Sequence, residues 1–303
     1  MSQKSKKDAP EKKLKSGFVV IAGAPNAGKS TFLNRVLGQK ISITSRKPQT
    51  TRDRILGVAR RPGSQVVFID TPGVHRATRA LNVKIVAEAV SAMSDVDMAL
   101  MLADVSAPDP ESEGLLTKNL KAGGKPVVLA LNKMDRLKKP ELASRVETWR
   151  RGDFFKAVLP ISARHGDGVE ELLQIIEDML PEGPAYFPEE TLTDKSERFM
   201  AAEIIREKVF RLTGKEIPYS TAVTVESFKR EKKLTRIEAC VHVEHDSQKG
   251  IIIGKKGAKL KQIGSDARKD LERMAGQKVF LKLFVRVEKN WSRDPKAMRR
   301  LGY

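Results

Sequence analysis

The sequence predicts an α/β domain followed by a smaller α+β domain, and three observations carry that reading. The chain has 303 residues, a length that favours about two units, each large enough to bury its own core. Near the start, "FVVIAGAPNAGKST" at 18–31 runs in the order strand, glycine loop, helix. Further on, "KGIIIGKKGAKLKQIG" at 249–264 places a second glycine pair in a region whose apolar periodicity reads helix, strand, strand, helix, loop, helix, strand.

Residues 1–16, "MSQKSKKDAPEKKLKS", are polar and basic without apolar periodicity, and are expected to form a flexible arm. The first strand then opens "GAPNAGKS", and "TFLNRVLG" gives a helix closed by Gly38. Strand, loop and helix together make a phosphate cradle. Gly23 and Gly28 let backbone N–H groups face phosphates, and Ala24, Pro25, Asn26, Ala27 and Thr31 line the turn. Lys29 reaches the terminal phosphates, and the Ser30 hydroxyl ligates Mg2+.

Next, "SQVVFIDTPG" at 64–73 is an apolar strand ending in Asp70, where a carboxylate can hold the magnesium shell and the Gly73 N–H can sense a γ-phosphate. "PVVLALNKMD" at 126–135 selects the base. The Asp135 carboxylate accepts from the ring N–H and the amino group of guanine; adenine would leave it buried and unpaired. Asn132 and Lys133 shape and cover the base pocket, and Ser162 and Ala163 in "LPISARHGDGVEEL" place backbone groups beside it. His75 and His165 lie in loops and are given no role.

With these motifs in order, residues 17–180 resemble the GTPases of the translation-factor-related class. "LGQKISITSRKPQTTRDRILG" at 37–57 narrows the resemblance to the Era family of ribosome-assembly GTPases. The resemblance implies a mostly parallel six-stranded sheet and a GTP-hydrolysing enzyme that cycles between GTP and GDP. Lys29, Thr51 and Gly73 are the residues it places in catalysis, with Thr51 as the switch threonine that joins Ser30 and Asp70 on magnesium, and Thr50 as the alternative. Val74 stands where Ras-like enzymes carry a water-orienting glutamine, so hydrolysis is expected to be slow. The same relatives imply K+ beside the phosphates, with Asn26 among its ligands.

"PEGPAYFPEETLTD" at 181–194 carries three prolines and reads as a linker. Beyond it, Ala201, Ile205, Val209 and Leu212 share one face of a helix; "STAVTVESFKR" and "LTRIEACVHVEH" read as strands, and "KVFLKLFVRVEK" as a last strand. The single cysteine, Cys240, is expected to be a buried structural thiol. No Ser or Thr follows Lys256 as a P-loop would require. A GxxG turn between two short helices on a three-stranded sheet is instead the layout of an RNA-binding KH domain, here of type II, over 195–289. Gly254 and Gly257 let the RNA backbone approach, Lys255, Lys256 and Lys259 meet phosphates, and Ile251, Ile252 and Ile253 form an apolar wall for bases. Residues 290–303 form a basic C-terminal tail.

The net charge of +19 fits this division. Residues 191–303 hold 27 Lys and Arg against 15 Asp and Glu, which points that half toward a polyanion: RNA first, an anionic membrane surface second. The longest apolar runs, such as "MALML" at 98–102, are too short to span a bilayer, and the N-terminus lacks a signal-peptide core. A cytoplasmic monomer is expected, with peripheral contact to the inner face of the cell membrane as a further expectation. The family resemblance implies the 3′ end of 16S ribosomal RNA and the 30S subunit as partners, and a switch in small-subunit assembly as the role. The alternative is a constitutive RNA-binding module whose GTP site only stabilises the fold.

Overall fold

The computed structural model describes residues 14–44, 54–70, 96–214 and 217–302. Its larger sheet runs in the order β2 (Ile55–Arg61), β3 (Ser64–Asp70), β1 (Leu14–Gly23), β4 (Met98–Asp104), β5 (Val127–Asn132), β6 (Ala157–Ile161). All neighbours are parallel except the β2–β3 hairpin. The two-residue β7 (Glu182–Gly183) pairs antiparallel with the start of β1.

Strand periodicity builds two cores, because successive side chains of β1 point to opposite faces. Val19 and Ile21 pack with Phe32 and Leu33 of α1 (Lys29–Leu37) and with Leu172 and Ile176 of α4 (Val169–Met179). Val20 and Ala22 pack on the other face with Leu116 and Leu120 of α2 (Pro110–Ala122), and α3 (Lys139–Arg150) adds Leu142, Val146 and Trp149 to that layer. The motif-bearing loops therefore leave the sheet at the carboxyl ends of β1, β3, β5 and β6, the edge where open α/β sheets form their ligand crevice.

Two boundaries differ from the sequence expectation. β1 begins at Leu14, taking in three residues of the expected arm. Ser16 is buried there because its N–H donates to the Pro181 carbonyl (2.9 Å) and its Oγ to the Pro184 carbonyl (2.7 Å). The proline-rich 181–194 segment is likewise strapped to the sheet. The buried Gln65 amide donates from Nε2 to the Phe187 carbonyl (2.9 Å), and its Oε1 accepts from the N–H groups of Tyr186 (2.7 Å) and Phe187 (3.0 Å). Farther along, Val58 N–H donates to Leu192 O (2.9 Å), Leu56 N–H donates to Asp194 Oδ1 (3.0 Å), and Gly57 bridges to Thr193.

The second domain opens with α5 (Glu197–Leu212), whose Ser196 cap accepts from Phe199 N–H at 3.2 Å. Its sheet runs β10 (Lys278–Val287), β9 (Leu234–Val243), β8 (Ala222–Arg230), with β10 parallel and β8 antiparallel to β9. Ile237, Ala239, Val241 and Val243 of β9 face Ala201, Ile205 and Val209 of α5 and Ile263, Ala267 and Leu271 of α7 (Ala258–Ala275) in one core. Cys240, on the opposite face of β9, is buried as expected. The basic tail is folded: α8 (Pro295–Arg300) packs Ala297 and Leu301 with the buried Trp291, whose Nε1 donates to Ser220 O at 3.1 Å.

Beside this tail lies His242, buried, with Nε2 2.8 Å from Thr224 Oγ1 and Nδ1 lacking a hydrogen-bond partner among the described residues. Burial pushes its pKa below 6.5; Glu288, 3.7 Å from Nδ1, and Glu226 oppose that shift, while Arg286 and Arg300 reinforce it. Below pH 6.5 the unfolded chain therefore takes up a proton more readily than the folded one. Stability from this site is present above that pH and lost as the pH falls through the window beneath it. Thermal denaturation between pH 7.5 and 5.5 should show a decline that His242→Gln flattens; equal slopes would remove His242 as the cause.

Candidate functional site

The nucleotide loop is shaped by two positive-φ residues. Asn26 (φ 64°) turns the tip, and Gly28 (φ 104°) brings the chain so close to Asn132 that a Cβ there would lie 2.1 Å from Nδ2. Only glycine fits. Lys29 lies buried beneath the loop, donating from Nζ to the carbonyls of Gly23 (2.9 Å) and Ala24 (3.0 Å). Burial lowers its pKa to about 8 against the opposing pull of Asp70. Ala24 and Ala27 are buried, Pro25 and Thr31 half-buried, and Asn26 exposed at the tip.

Asp70, at the end of β3, is wholly buried. Its Oδ2 accepts from Ser30 Oγ (2.9 Å) and Ser42 Oγ (2.8 Å), while Oδ1 has no hydrogen-bond partner among the described residues. Burial raises its pKa; Lys29 and the two serines counteract. A buried carboxylate with one orphaned oxygen beside a serine hydroxyl is an oxygen donor set suited to a hard divalent cation.

Asn132 joins three segments. Its Nδ2 donates to Ala27 O (2.7 Å), and Oδ1 accepts from Lys133 N–H (2.8 Å) and Ala163 N–H (3.0 Å). One side chain thus fixes the phosphate loop against both base loops. Lys133 (φ 67°) pairs through Nζ with Asp104, whose Oδ1 accepts from Ser106 N–H (2.9 Å) and Oγ (2.7 Å). Asp135 Oδ1 accepts from Ser162 Oγ at 2.7 Å, which holds its pKa below the usual carboxylate value. His165 Nε2 stands 3.8 Å from Asp135 Oδ2.

The structure thus gathers Lys29, Ser30 and Asp70 at one end of the crevice and Asn132, Lys133, Asp135, Ser162 and Ala163 at the other. Thr50, Thr51, Gly73, Val74 and His75 lie outside the described residues. Sequence reasoning missed Ser42, Asp104 and Asn34, the last of which accepts at Oδ1 from the N–H groups of Ile41 and Ser42 (both 2.9 Å). No motif marks any of the three.

In the second domain, α6 (Asp246–Ile253) ends at Gly254, with φ 72° and ψ 177°, a region essentially reserved for glycine. Lys256 (φ 51°) and Gly257 (φ 77°) continue the turn into α7, and Lys255 and Lys256 are exposed. Lys259 is half-buried under Gly254, its Cβ 2.7 Å from where a Cβ at 254 would stand. Two expectations are corrected here. Ile252 is 0% exposed and packs in the domain core, because consecutive helix positions diverge by about 100° and one of three isoleucines must point inward; Ile251 is the exposed one. The second helix, α7, is long rather than short, at 18 residues.

Residues 18–133 match the family described as 50S ribosome-binding GTPase, and residues 216–292 match the KH domain family. The chain is 54% identical over 295 residues to GTPase Era of Geobacter sp. (strain M21), covering 97% of this chain and 99% of the relative. It is 52% identical to GTPase Era of Geobacter metallireducens, covering 96% and 98%. Two solved structures each superimpose with a TM-score of 0.90 at 38% identity, covering 96% of this chain and 99% of theirs: a point variant of Aquifex aeolicus Era bound to GDP and AlF4−, and Era in complex with MgGDPNP and nucleotides 1506–1542 of 16S ribosomal RNA. With one crevice built for a guanine nucleotide and a GxxG turn on a type II KH sheet in the same chain, these full-length matches make this protein a member of the Era family of GTPases.

Proposed function

We propose that this chain is a GTP-driven switch that binds the 3′ end of 16S ribosomal RNA through its KH domain during assembly of the 30S subunit. The observation that carries the reading is Asn132, which ties the phosphate loop to the base loops and so makes one site of the two ends of the crevice. The related Era structure holding MgGDPNP and 16S nucleotides 1506–1542 supports both ligands. Asp135, with Oδ1 held by Ser162, reads guanine, and Lys29 meets the terminal phosphates. Ser30, Asp70 and Thr51 would hold Mg2+, which neutralises charge on the phosphates when bound. Gly73 offers its N–H to the γ-phosphate. Because Val74 cannot orient a water, Asn26 at the loop tip helps hold K+ and so supplies charge stabilisation.

In the KH domain, the Gly254–Gly257 turn admits the RNA backbone, and Lys255, Lys256 and Lys259 meet its phosphates. Ile251 offers apolar surface to bases, while Ile252 supports the turn from within. The protein works as a monomer in the cytoplasm. Among the described residues no helix is long and apolar enough to cross a membrane; contact with anionic lipid is peripheral, and vesicle pelleting at physiological salt measures it.

The test is GTP hydrolysis by the purified protein in potassium and in sodium salts, with and without an RNA copying 16S nucleotides 1506–1542. The reading expects a rate at least several-fold higher in potassium and a change of rate on adding RNA. Equal rates in the two salts would remove the Asn26 assignment. RNA that binds without altering the rate or the nucleotide preference would leave the constitutive RNA-binding module as the better description.

A further inference from the structure

Residues 40–44, which follow α1, touch Asp70 of the nucleotide site and two helices of the KH domain at once. The buried Ser42 donates from Oγ to Asp70 Oδ2 at 2.8 Å, and Asn34 holds the same residue by both backbone groups, accepting from its N–H (2.9 Å) and donating to its carbonyl (2.6 Å). Two residues before it, Lys40 pairs with Glu207 of α5 and, at 2.8 Å, with Asp270 of α7. Two residues after it, the Thr44 carbonyl and Oγ1 each accept from Arg211 Nη2 at 3.1 Å. Glu207 and Asp270 are buried, and Lys208 and Arg273 also pair with Asp270. A short segment is thereby fixed at its centre to one domain and at both ends to the other.

We propose that residues 40–44 couple the Asp70 carboxylate to the RNA loop, with Ser42 as a positioning residue for Asp70 and with Lys40 and Thr44 passing its position to α5 and α7. The inference rests on the switch reading above and names its physical route. Ser30 and Ser42 share Oδ2 of Asp70, so a ligand that turns this carboxylate or draws Ser30 away changes the acceptor that Ser42 faces. Ser42 is fully buried, so its hydroxyl cannot turn to water instead, and the segment follows the carboxylate. The shift pulls on Lys40 and hence on Asp270. Asp270 sits on the same rigid helix that begins immediately after Gly257, about 18 Å from the GxxG turn at a rise of about 1.5 Å per residue. Coupling of this kind is reciprocal: RNA on the loop must shift the preference of the distant site by the same factor.

The experiment measures affinity for the RNA copying 16S nucleotides 1506–1542, in the GDP and GDPNP forms with magnesium, for the full-length wild type, Lys40→Gln, Ser42→Ala, the double variant and Lys40→Arg. In the wild type the two forms should differ by roughly 5- to 150-fold. Lys40→Gln and Ser42→Ala should each bring that ratio within about twofold of one, the double variant should add nothing further, and Lys40→Arg should keep the wild-type ratio. Loss of a merely structural contact would lower both affinities together and leave the ratio standing, which overturns the inference. Single variants that retain the full ratio overturn it as well, while the switch survives. A wild-type ratio of one would remove the switch itself, and this link with it.

Discussion

Asp135→Asn should weaken GTP binding by roughly three orders of magnitude, about 4 kcal/mol, and give the protein an affinity for xanthosine triphosphate that it otherwise lacks. The carboxylate offers only acceptors, and Ser162 Oγ, at 2.7 Å from Oδ1, fixes its plane. Guanine brings two donors to it. An amide offers one acceptor and one donor, so the guanine amino group would meet an N–H, two donors facing each other. Xanthine carries a carbonyl where guanine carries that amino group, and the mismatch disappears. Fluorescent-nucleotide titration measures both affinities. A GTP affinity within tenfold of wild type would show that the base is read elsewhere.

The double substitution Gly254→Asp, Gly257→Asp should reduce affinity for the 16S fragment by about 100-fold or more. Gly254 sits at φ 72°, ψ 177°, and any Cβ there meets Lys259 Cβ at 2.7 Å; Gly257 has φ 77°. The substitution thus adds strain and two negative charges where a phosphate chain must lie. Strain alone could distort the turn, so Lys255→Ala, Lys256→Ala is the second arm. It removes charge from a turn whose glycines are intact and should lower the slope of log affinity against log salt by about 1.4, at roughly 0.7 per phosphate contact on single strands. An unchanged slope would take these lysines off the RNA backbone.

Local elements carried by contiguous residues were legible: the strand, loop and helix around "GAPNAGKS", the strand end at "NKMD" and the GxxG turn between two helices stand where the motifs put them, because such loops need fixed residue types at fixed short spacing. The helical face of Ala201, Ile205 and Val209 followed from periodicity alone. Contacts between distant residues were not legible. Nothing near Ser42 indicates that it meets Asp70, nothing near Gln65 that its amide captures Tyr186 and Phe187, and nothing near Lys40 that its partner is Asp270. These polar pairings depend on how the chain folds back, and serine, glutamine and lysine at an isolated position have no preferred partner. The placement of Ile252 was a different failure. Its inward direction was already contained in the helical repeat, and treating three neighbouring isoleucines as one wall ignored it.

The strap from 184 to 194 also determines where this chain can be cut. β2 is the end strand of the large sheet, and the N–H groups of Leu56 and Val58 on its outer side are satisfied by Asp194 and Leu192. A fragment stopping at residue 180 would leave that edge bare, a template for strand-by-strand aggregation, and would strip Gln65 of three hydrogen bonds in a buried position. The residues that cover this sheet edge therefore run to residue 194, so ribosomal synthesis cannot cover it until the first residues of the RNA-binding domain are about to follow.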